Sequence, residues 1–478
     1  YVLTNFPYLN NGPKDLIGNS GKGKEYAYRS YFGRVMYSYA DRYLFQANIR
    51  HDGSSRFAKK HRWGTFPSFS AGWVLSEENF MKNLNWDWLS FLKIRATWGA
   101  LGNERIGDFP YMSTIAFGNT IFYQNNGIYF DQTASQQKYA IENVTWEKTE
   151  STDIGLDISF LNNRLRVNGD YYWKNTKDML LAMAIPDFLG FSDPDVNAGK
   201  MSTKGYELNV SWNDHIGDFS YGIAINFSDF TSKMGDLQGT QFLGDKVKME
   251  GSEFNEWYGY VSDGLFLTEE DLKNSPKIND KNTQLGDIKY KDISGPDGVP
   301  DGKISPEYDR VLLGSSLPHF LYGGNINLGY KNFDLSLAFQ GVGKQNARLA
   351  REMVEPFRNN YGNFPAIIDG NYWSPYNTDE QNAVAKYPRL THVNKSSNYA
   401  MSDYWLFNGG YFRLKNITLG YTFPKEWMNA IGIKGARIYA SASDLFCLSK
   451  YPKGWDPEMG VSEYPITTSI LLGVSVNF

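Results

Sequence analysis

A chain of 478 residues exceeds one ordinary domain unless that domain is a large barrel or a repeat. Its single cysteine, Cys447, rules out an intrachain disulfide and a cysteine-based zinc site, and a formal net charge of −4 gives no basic footprint for nucleic acid. Mean hydropathy is −0.47 with no apolar run near the roughly 18 residues of a spanning helix, yet strands hide their apolar residues by alternation, so a membrane β-protein stays open.

The chain opens at Tyr1 without methionine or signal peptide, and is expected to begin after processing or to be a piece of something longer. Residues 1–27 are polar and rich in Gly, Asn and Lys, and read as a loop. Tyr31, Gly33, Val35, Tyr37 and Tyr39 then alternate with Phe32, Arg34, Met36 and Ser38, the period of two that marks a strand. Past a tight turn at 40–42, Tyr43, Phe45, Ala47 and Ile49 oppose Gln46, Asn48, Arg50 and Asp52. A charged loop leads to a strand over 66–74, and a connection over 75–89, with one helical turn near 77–81, leads to the next. There Leu92, Ile94, Ala96 and Trp98 oppose Lys93, Arg95, Thr97 and Gly99.

The pattern repeats after each long polar stretch. Strands over 153–160 and 165–173 flank a turn at 161–164, and strands over 206–212 and 219–227 flank one at 213–218. Strands over 320–330 and 333–340 flank the two-residue turn Lys331-Asn332. In the strand over 411–423 the parity slips near Asn416, from Phe412 and Leu414 to Ile417, Leu419, Tyr421 and Phe423, the mark of a β-bulge. A strand over 436–448 precedes the closing stretch, where Ile466, Ile470, Leu472, Val474, Val476 and Phe478 share one parity. Alone, that last strand fits the edge of a soluble sandwich as well as the last stave of a barrel.

The connections decide between them. Short ones near 40–42, 161–164, 213–218, 331–332 and 424–434, with a mid-sized one at 75–89, alternate with long ones near 103–146, 177–201, 230–317, 345–407 and 449–463. Tight turns on one side and long loops on the other are the habit of an antiparallel barrel across a membrane. Tyr39, Tyr43, Trp212, Phe219, Tyr330 and Phe333 flank the short turns, as interfacial aromatics do. Arg34, Arg50, Lys93, Arg95, Arg166, Glu207 and Asp334 occupy the opposite faces and belong in a wet or plugged lumen, since Arg or Lys on lipid costs roughly 2–4 kcal/mol at the midplane. The fold class is therefore all-β, a transmembrane antiparallel β-barrel. Thirteen strands is an odd count, and bacterial single-chain barrels are even, so further strands are expected before Tyr1.

The runs DGSSRF (52–57), RWGTFPSFSAGWVLSEE (62–78), LKIRATWGALG (92–102), GDIKYKDISGPDGVPDGKISPEYDR (286–310) and YFRLKNITLGYTFP (411–424) resemble the C-terminal half of the SusC/RagA family of TonB-dependent outer-membrane transporters of Bacteroidetes. The resemblance implies a 22-stranded barrel filled by an N-terminal plug and closed outside by a SusD-like surface lipoprotein. It implies energy from the inner-membrane TonB complex, acting through a box ahead of the plug. It also implies import of a nutrient, glycan or oligopeptide, with no enzymatic step and no required cofactor. None of the energy-coupling segment lies within these residues.

Two loop features carry candidate chemistry. In the turn over 292–309, Asp292, Ser294, Asp297, Asp301 and Asp309 have roughly the spacing of a distorted EF-hand loop, which suits a structural Ca²⁺. The same Asp and Gly residues also make an ordinary polar turn. Trp257, Tyr258, Trp373, Tyr376 and Trp405 are candidate substrate contacts, with Tyr260, Tyr404 and Trp455 nearby, and the same rings would equally serve loop packing or lid contact. The five histidines are scattered, and there is no nucleophile elbow or P-loop. A passive porin and a secreted carbohydrate-binding or hydrolytic β-protein remain as alternatives. The porin would lack a plug, and the secreted protein would be soluble without detergent.

Overall fold

The computed structural model describes residues 21–478 except 22, 125, 126, 137, 138, 184, 238, 240, 280, 359–361 and 460–462. The polar stretch 1–27 thus lies largely outside the described residues. Thirteen strands form one antiparallel sheet in strict chain order. They are β1 (Tyr28–Tyr39), β2 (Tyr43–Ser54), β3 (Trp63–Val74), β4 (Leu89–Asn103), β5 (Glu147–Phe160), β6 (Leu165–Lys177) and β7 (Met201–Ile216), followed by β8 (Phe219–Met234), β9 (His319–Tyr330), β10 (Phe333–Lys344), β11 (Tyr411–Thr422), β12 (Gly435–Ser449) and β13 (Ser469–Asn477). All thirteen match strands read from the alternation. Most are longer than read, running past the roughly 9–11 residues a tilted strand needs to cross hydrocarbon. The sheet is open, with β1 and β13 each paired on one side only among the described residues.

The two faces separate as alternation demands. Ile470 and Leu472 are 76% and 81% exposed, and Ile94, Ala96 and Trp98 are exposed on the same outer surface. Leu335 pairs with Leu328 and Leu419, and Leu337 with Ile326 and Ile417, all on the outer face. On the other face Arg34 donates to Gln46 (2.5 Å), Arg95 meets Asp157 and Asp170 (2.9 Å each), and Arg437 meets Asp334 (2.5 Å). Grease faces out and ions face in, so this sheet is the wall of a barrel.

Two local features differ from the reading. The turn expected over 213–218 is only Gly217-Asp218, since Ile216 still pairs with Phe219. Gly217 takes φ +60, which a two-residue hairpin requires, and the polar Asn213 and Asp214 are strand residues. The connection expected as one loop over 103–146 contains a hairpin of its own, Ile115–Gln124 against Gly127–Gln136, apart from the main sheet.

The bulge on β11 falls at Lys415: Leu414 pairs with Phe339 and Asn416 with Ala338, leaving Lys415 without an opposite residue. On the β12 side Leu414 pairs with Phe446 and Asn416 with Ser443, with Asp444 at φ +51 in the gap. Because the bulge absorbs this one extra residue, Phe412 and Leu414 share the outer face with Ile417 and Leu419 despite their opposite parity.

Candidate functional site

The connections at the long-loop end do not hang separately. Those between β8 and β9, between β10 and β11 and after β12 contribute to one folded body with its own core. Tyr260, Leu265, Ile288, Tyr290, Met353, Val354, Ile368, Tyr399 and Trp405 are all buried there, and Trp373, Tyr404 and Trp455 pack against them. Short sheets frame this core, including Ser262–Leu265 paired with Ile288–Tyr290 and Asn346–Arg348 paired with Leu406–Asn408. Thr268 and Thr378 cap the helices Glu269–Asn274 and Asp379–Ala383, the second with Gln381 in a full capping box.

Asp287 is fully buried at the centre. Its carboxylate accepts from Arg389 Nε (2.7 Å) and Nη2 (3.1 Å), from Asn394 (2.7 Å) and Asn398 (2.9 Å), and from the backbone amide of Gln284 (2.9 Å). Five donors onto one carboxylate offset the cost of burying its charge, and they tie the β8–β9 connection to the β10–β11 connection. Burial also drives the hydroxyls of Tyr290, Tyr399 and Tyr404 far above their ordinary pKa. They stay neutral donors: Tyr290 to Ser397 O (2.7 Å) and Tyr404 to Lys386 O (2.9 Å).

Nearby, Glu355 is almost fully buried between Arg351 (2.7 Å) and Lys395 (3.3 Å). A recess of about 440 Å³ opens beside it, lined by Glu352, Arg358, Phe364, Ile367, Lys453 and Trp455. Charges of both signs next to two aromatic rings suit a small polar ligand with an apolar face.

Below this body, the lumen wall changes character around its circumference. β4, β5 and β6 carry the Arg95–Asp157–Asp170 cluster, with Asn168 also donating to Asp157 (2.8 Å). At β11–β12, Arg413 is buried among Asp444, Asp456 (2.5 Å) and Glu458 (2.8 Å), so the connection after β12 is fastened to the inside of the wall. Between these ionic clusters hydroxyls and amides, such as Asn327 against Ser336 (2.8 Å), share the inner face with Glu207 on β7 and with Asp334 on β10, and Thr418 meets Ser441 (2.8 Å) across β11 and β12.

Residues 2–445 match the family model for the TonB dependent receptor-like β-barrel. The chain belongs to that family. It is 32% identical over 468 residues to the TonB-dependent receptor SusC of Bacteroides thetaiotaomicron, covering 94% of this chain and 43% of the relative. It is 31% identical over 453 residues to the TonB-dependent receptor P3 of Formosa agariphila, covering 90% of this chain and 42% of that one. The solved structure of the RagAB peptide transporter superposes with a TM-score of 0.77 at 23% identity, over 100% of this chain and 50% of that chain. The chain thus spans less than half the length of these curated relatives. As a SusC/RagA-type TonB-dependent receptor it is an outer-membrane β-barrel, and its long-loop end faces outward.

Within this receptor the five candidate aromatics have different surroundings. Trp405 is 1% exposed, stacks on Tyr399 (5.2 Å) and donates Nε1 to Asn398 O (2.9 Å). It is a core residue of the outer body, and its expected contact with substrate is corrected on that ground. Trp373 packs on the same core and covers Gly286, whose φ of +83 suits glycine and whose missing side chain makes room for the indole. Trp257 is half-buried, donates to Asn346 O (2.6 Å) and lies under the Lys246 ammonium (4.5 Å). Tyr258 is half-buried with the Arg310 guanidinium over its ring (5.0 Å). Tyr376 is 95% exposed and is the most open to solvent of the five. Alternation cannot separate a core indole from a surface one inside a loop, because the sequence there has no period.

The turn over 292–309 is built on backbone donors. Asp309, fully buried, accepts from the amides of Ile293 (2.8 Å), Ser294 (3.2 Å) and Ser305 (2.6 Å). Asp292 accepts from Gly302 (2.5 Å), Asp301 accepts from Lys303 (3.0 Å), and Asp297 is exposed. Among the described residues no three His, Cys, Asp or Glu side chains gather where they could hold one cation. Ser294 enters through its backbone amide. The expected ligand set is thus spread along the turn, since each Pro and Gly turns the chain before the carboxylates meet.

Proposed function

We propose that this chain forms the pore wall and outer vestibule of a TonB-dependent importer that moves a nutrient, glycan or oligopeptide, inward across the outer membrane. A SusD-like surface lipoprotein closes the vestibule, and the TonB complex supplies energy through a plug that lies outside this chain. The observation that carries the reading is a body folded from long loops, set over one end of a wall that is polar inside and apolar outside, in a chain of the TonB-dependent receptor family. A barrel open to passive diffusion has little use for so large a folded body above its mouth. Its recess beside Glu355 offers charge and aromatic surface to cargo, and its exposed faces offer a seat for a lid. Moving cargo through such a wall requires no bond making or breaking by these residues.

The test is uptake and co-purification with the full-length receptor in its native outer membrane. Affinity isolation is expected to bring down a lipoprotein in stoichiometric amount. Growth on the cargo is expected to stop when either the receptor gene or TonB is deleted. Growth that survives loss of TonB would mark a passive pore and end this reading.

A further inference from the structure

The outer face of the wall changes character at the long-loop ends of four neighbouring strands, β5 to β8. On each, the outward apolar run starts beside a short turn: Phe160 to Ile154, Leu165 to Trp173, Trp212 to Tyr206 and Phe219 to Phe227. Each run spans 7 or 9 residues, close to the roughly 9–11 a tilted strand uses to cross hydrocarbon, so the next outward positions stand at its outer boundary. Those positions hold four lysines. Lys148 pairs with Lys177, Lys204 with Trp173 and Thr231, and Lys233 with Ser202. Lys177, Lys204 and Lys233 are exposed. At the long-loop ends of the other wall strands, an outward Lys or Arg occurs once among the described residues, as Arg29 on β1.

Two carboxylates stand among these lysines, and both are already engaged. Glu150 bridges Lys148 (3.0 Å) and Lys177 (2.9 Å), while Asp229 holds His319 (2.8 Å) and accepts from the Phe320 amide (3.2 Å). Lys148 and Lys177 are directly opposed like charges sharing one carboxylate, so one positive charge is left over. Lys204 and Lys233, diagonal neighbours across β7 and β8, are in no ion pair among the described residues. Asn175 and Ser202 face each other between these lysines and add an amide and a hydroxyl. Just below, Tyr171, Trp173 and Tyr206 set rings at the boundary, and Leu208 and Phe227 continue the apolar face. β5 to β8 have a neighbour on each side in the sheet, so further wall strands would join elsewhere, and a plug would fill the opposite face.

We propose that this rim seats a phosphorylated lipid of the outer leaflet, with its phosphate among Lys177, Lys204 and Lys233 and its acyl chains on the apolar run beneath. Charge complementarity and continuity with the lipid-facing wall select this occupant. The lysine stems rise from the hydrocarbon boundary and carry their ammonium groups to the headgroup level, where each attracts anionic lipid. The same strands supply the surface that acyl chains need, which a soluble anion would leave unused. A second receptor copy docked about a two-fold axis would bring these lysines against themselves. The inference needs only the outer-membrane barrel, and it stands whatever the cargo or its source of energy.

The experiment uses the full-length receptor, delipidated in a neutral detergent and titrated by native mass spectrometry with diphosphoryl lipid A, with phosphatidylcholine and with inorganic phosphate. The charge-removing variant combines Lys177→Gln, Lys204→Gln and Lys233→Gln, and the charge-keeping variant places Arg at the same positions. Lys331→Gln with Lys425→Gln and Lys434→Gln removes as much charge at the short-turn end. Wild type, the Arg variant and the short-turn variant are expected to bind lipid A alike, and the charge-removing variant about tenfold more weakly. Phosphatidylcholine is expected to bind all of them equally, and inorganic phosphate to leave bound lipid A in place. Heat-modifiable mobility on a gel checks that each barrel is folded. If the triple Gln variant does not fold, Lys204→Gln alone is read in the same way, with a loss of about threefold. The proposal is overturned if the charge-removing variant keeps lipid A as wild type does, if the short-turn variant loses it as well, or if phosphatidylcholine depends equally on the three lysines. Displacement of lipid A by inorganic phosphate at equal concentration would make this an anion site without a lipid. A shift from dimer to monomer in the charge-removing variant, with lipid binding unchanged, would make a second copy the occupant. Either result overturns the proposal.

Discussion

Arg95 on β4 reaches across β5 to Asp170 on β6, Nη2 to Oδ1 at 2.9 Å, and the residue it crosses is Gly155. A Cβ on Gly155 would stand 2.6 Å from the guanidinium carbon and collide with the Asp170 carboxylate. The same device recurs at the other flank, where the Arg437–Asp334 pair passes over Gly420. In both places a glycine lets a charge pair span three strands inside the lumen.

Gly155→Val is therefore expected to separate Arg95 from Asp170 and to destabilise the barrel by about 1–3 kcal/mol, as overpacking does. In Arg95→Met the guanidinium is gone and the Asp170 carboxylate, no longer held by it, is free to turn aside, so adding Gly155→Val should then cost less. The check is the temperature at which detergent-solubilised receptor loses its folded mobility on a gel, for both singles and the double. Equal losses in the presence and absence of Arg95 would refute the coupling.

Asp287 and Arg389 set the stability of the outer body rather than of the barrel. Arg389→Ala leaves a buried carboxylate with its amide donors but no countercharge, a loss of about 3–5 kcal/mol for such a pair. The expected outcome is rapid protease nicking within 235–318 and 345–410 on intact cells, with the gel-shift temperature of the barrel unchanged. Loss of both together would mean that the body and the wall fold as one unit.

The wall was legible because its physics is periodic. Each of the thirteen strands alternates, and even the slip near Asn416 announced the bulge that the structure puts at Lys415. The outer body was not legible, because its contacts join residues about a hundred positions apart, such as Asp287 with Arg389 and Asn398. Nothing local marks Asp287 as central or Trp405 as buried. The acid-rich turn misled in a related way: its carboxylates are spaced like ligands, but Asp309 spends both oxygens on backbone amides.

Trp405 and Tyr376 should separate sharply on mutation. Trp405→Ala removes a fully buried indole and is expected to cost about 3–5 kcal/mol, so the outer body becomes protease-sensitive. Tyr376→Ala, at an almost fully exposed position, should leave protease resistance as it was. On the proposed function, any effect of Tyr376→Ala on uptake would then report contact with a ligand or partner rather than folding.

Glu256 gives the outer body a pH dependence. It is buried opposite Val247, accepts from the Glu253 amide (2.7 Å), and burial holds its carboxyl above the ordinary value. The folded form therefore keeps its proton where the unfolded form has lost it, and stability falls as pH rises from the ordinary carboxylate range through the raised value. Glu256→Gln should abolish that decline. Measuring the ratio of wild-type to variant nicking rates at each pH cancels the protease's own pH profile. A ratio that does not climb with pH across this window would contradict the assignment.

Lys415 offers the most severe test of the wall, because its side chain can be removed with or without the bulge. The side chain meets Asp444 at 2.6 Å, while its backbone is the one surplus residue between Leu414 and Asn416, which stand opposite the adjacent Phe339 and Ala338. Lys415→Ala removes the ion pair and leaves the bulge, and a half-exposed pair of this kind is worth only about 0–1 kcal/mol. Deleting Lys415 removes the surplus and makes Leu414 and Asn416 neighbours, so ordinary alternation keeps Leu414 and Phe412 facing lipid and Arg413 among its three carboxylates. Both variants are therefore expected to reach the outer membrane as heat-modifiable folded receptor. A one-residue slip would instead reverse every side chain of the upper part of the strand and put Arg413 on the lipid face, at up to about 2–4 kcal/mol near the midplane. Loss of folded receptor in the deletion variant alone would therefore show that Lys415 is not the surplus residue.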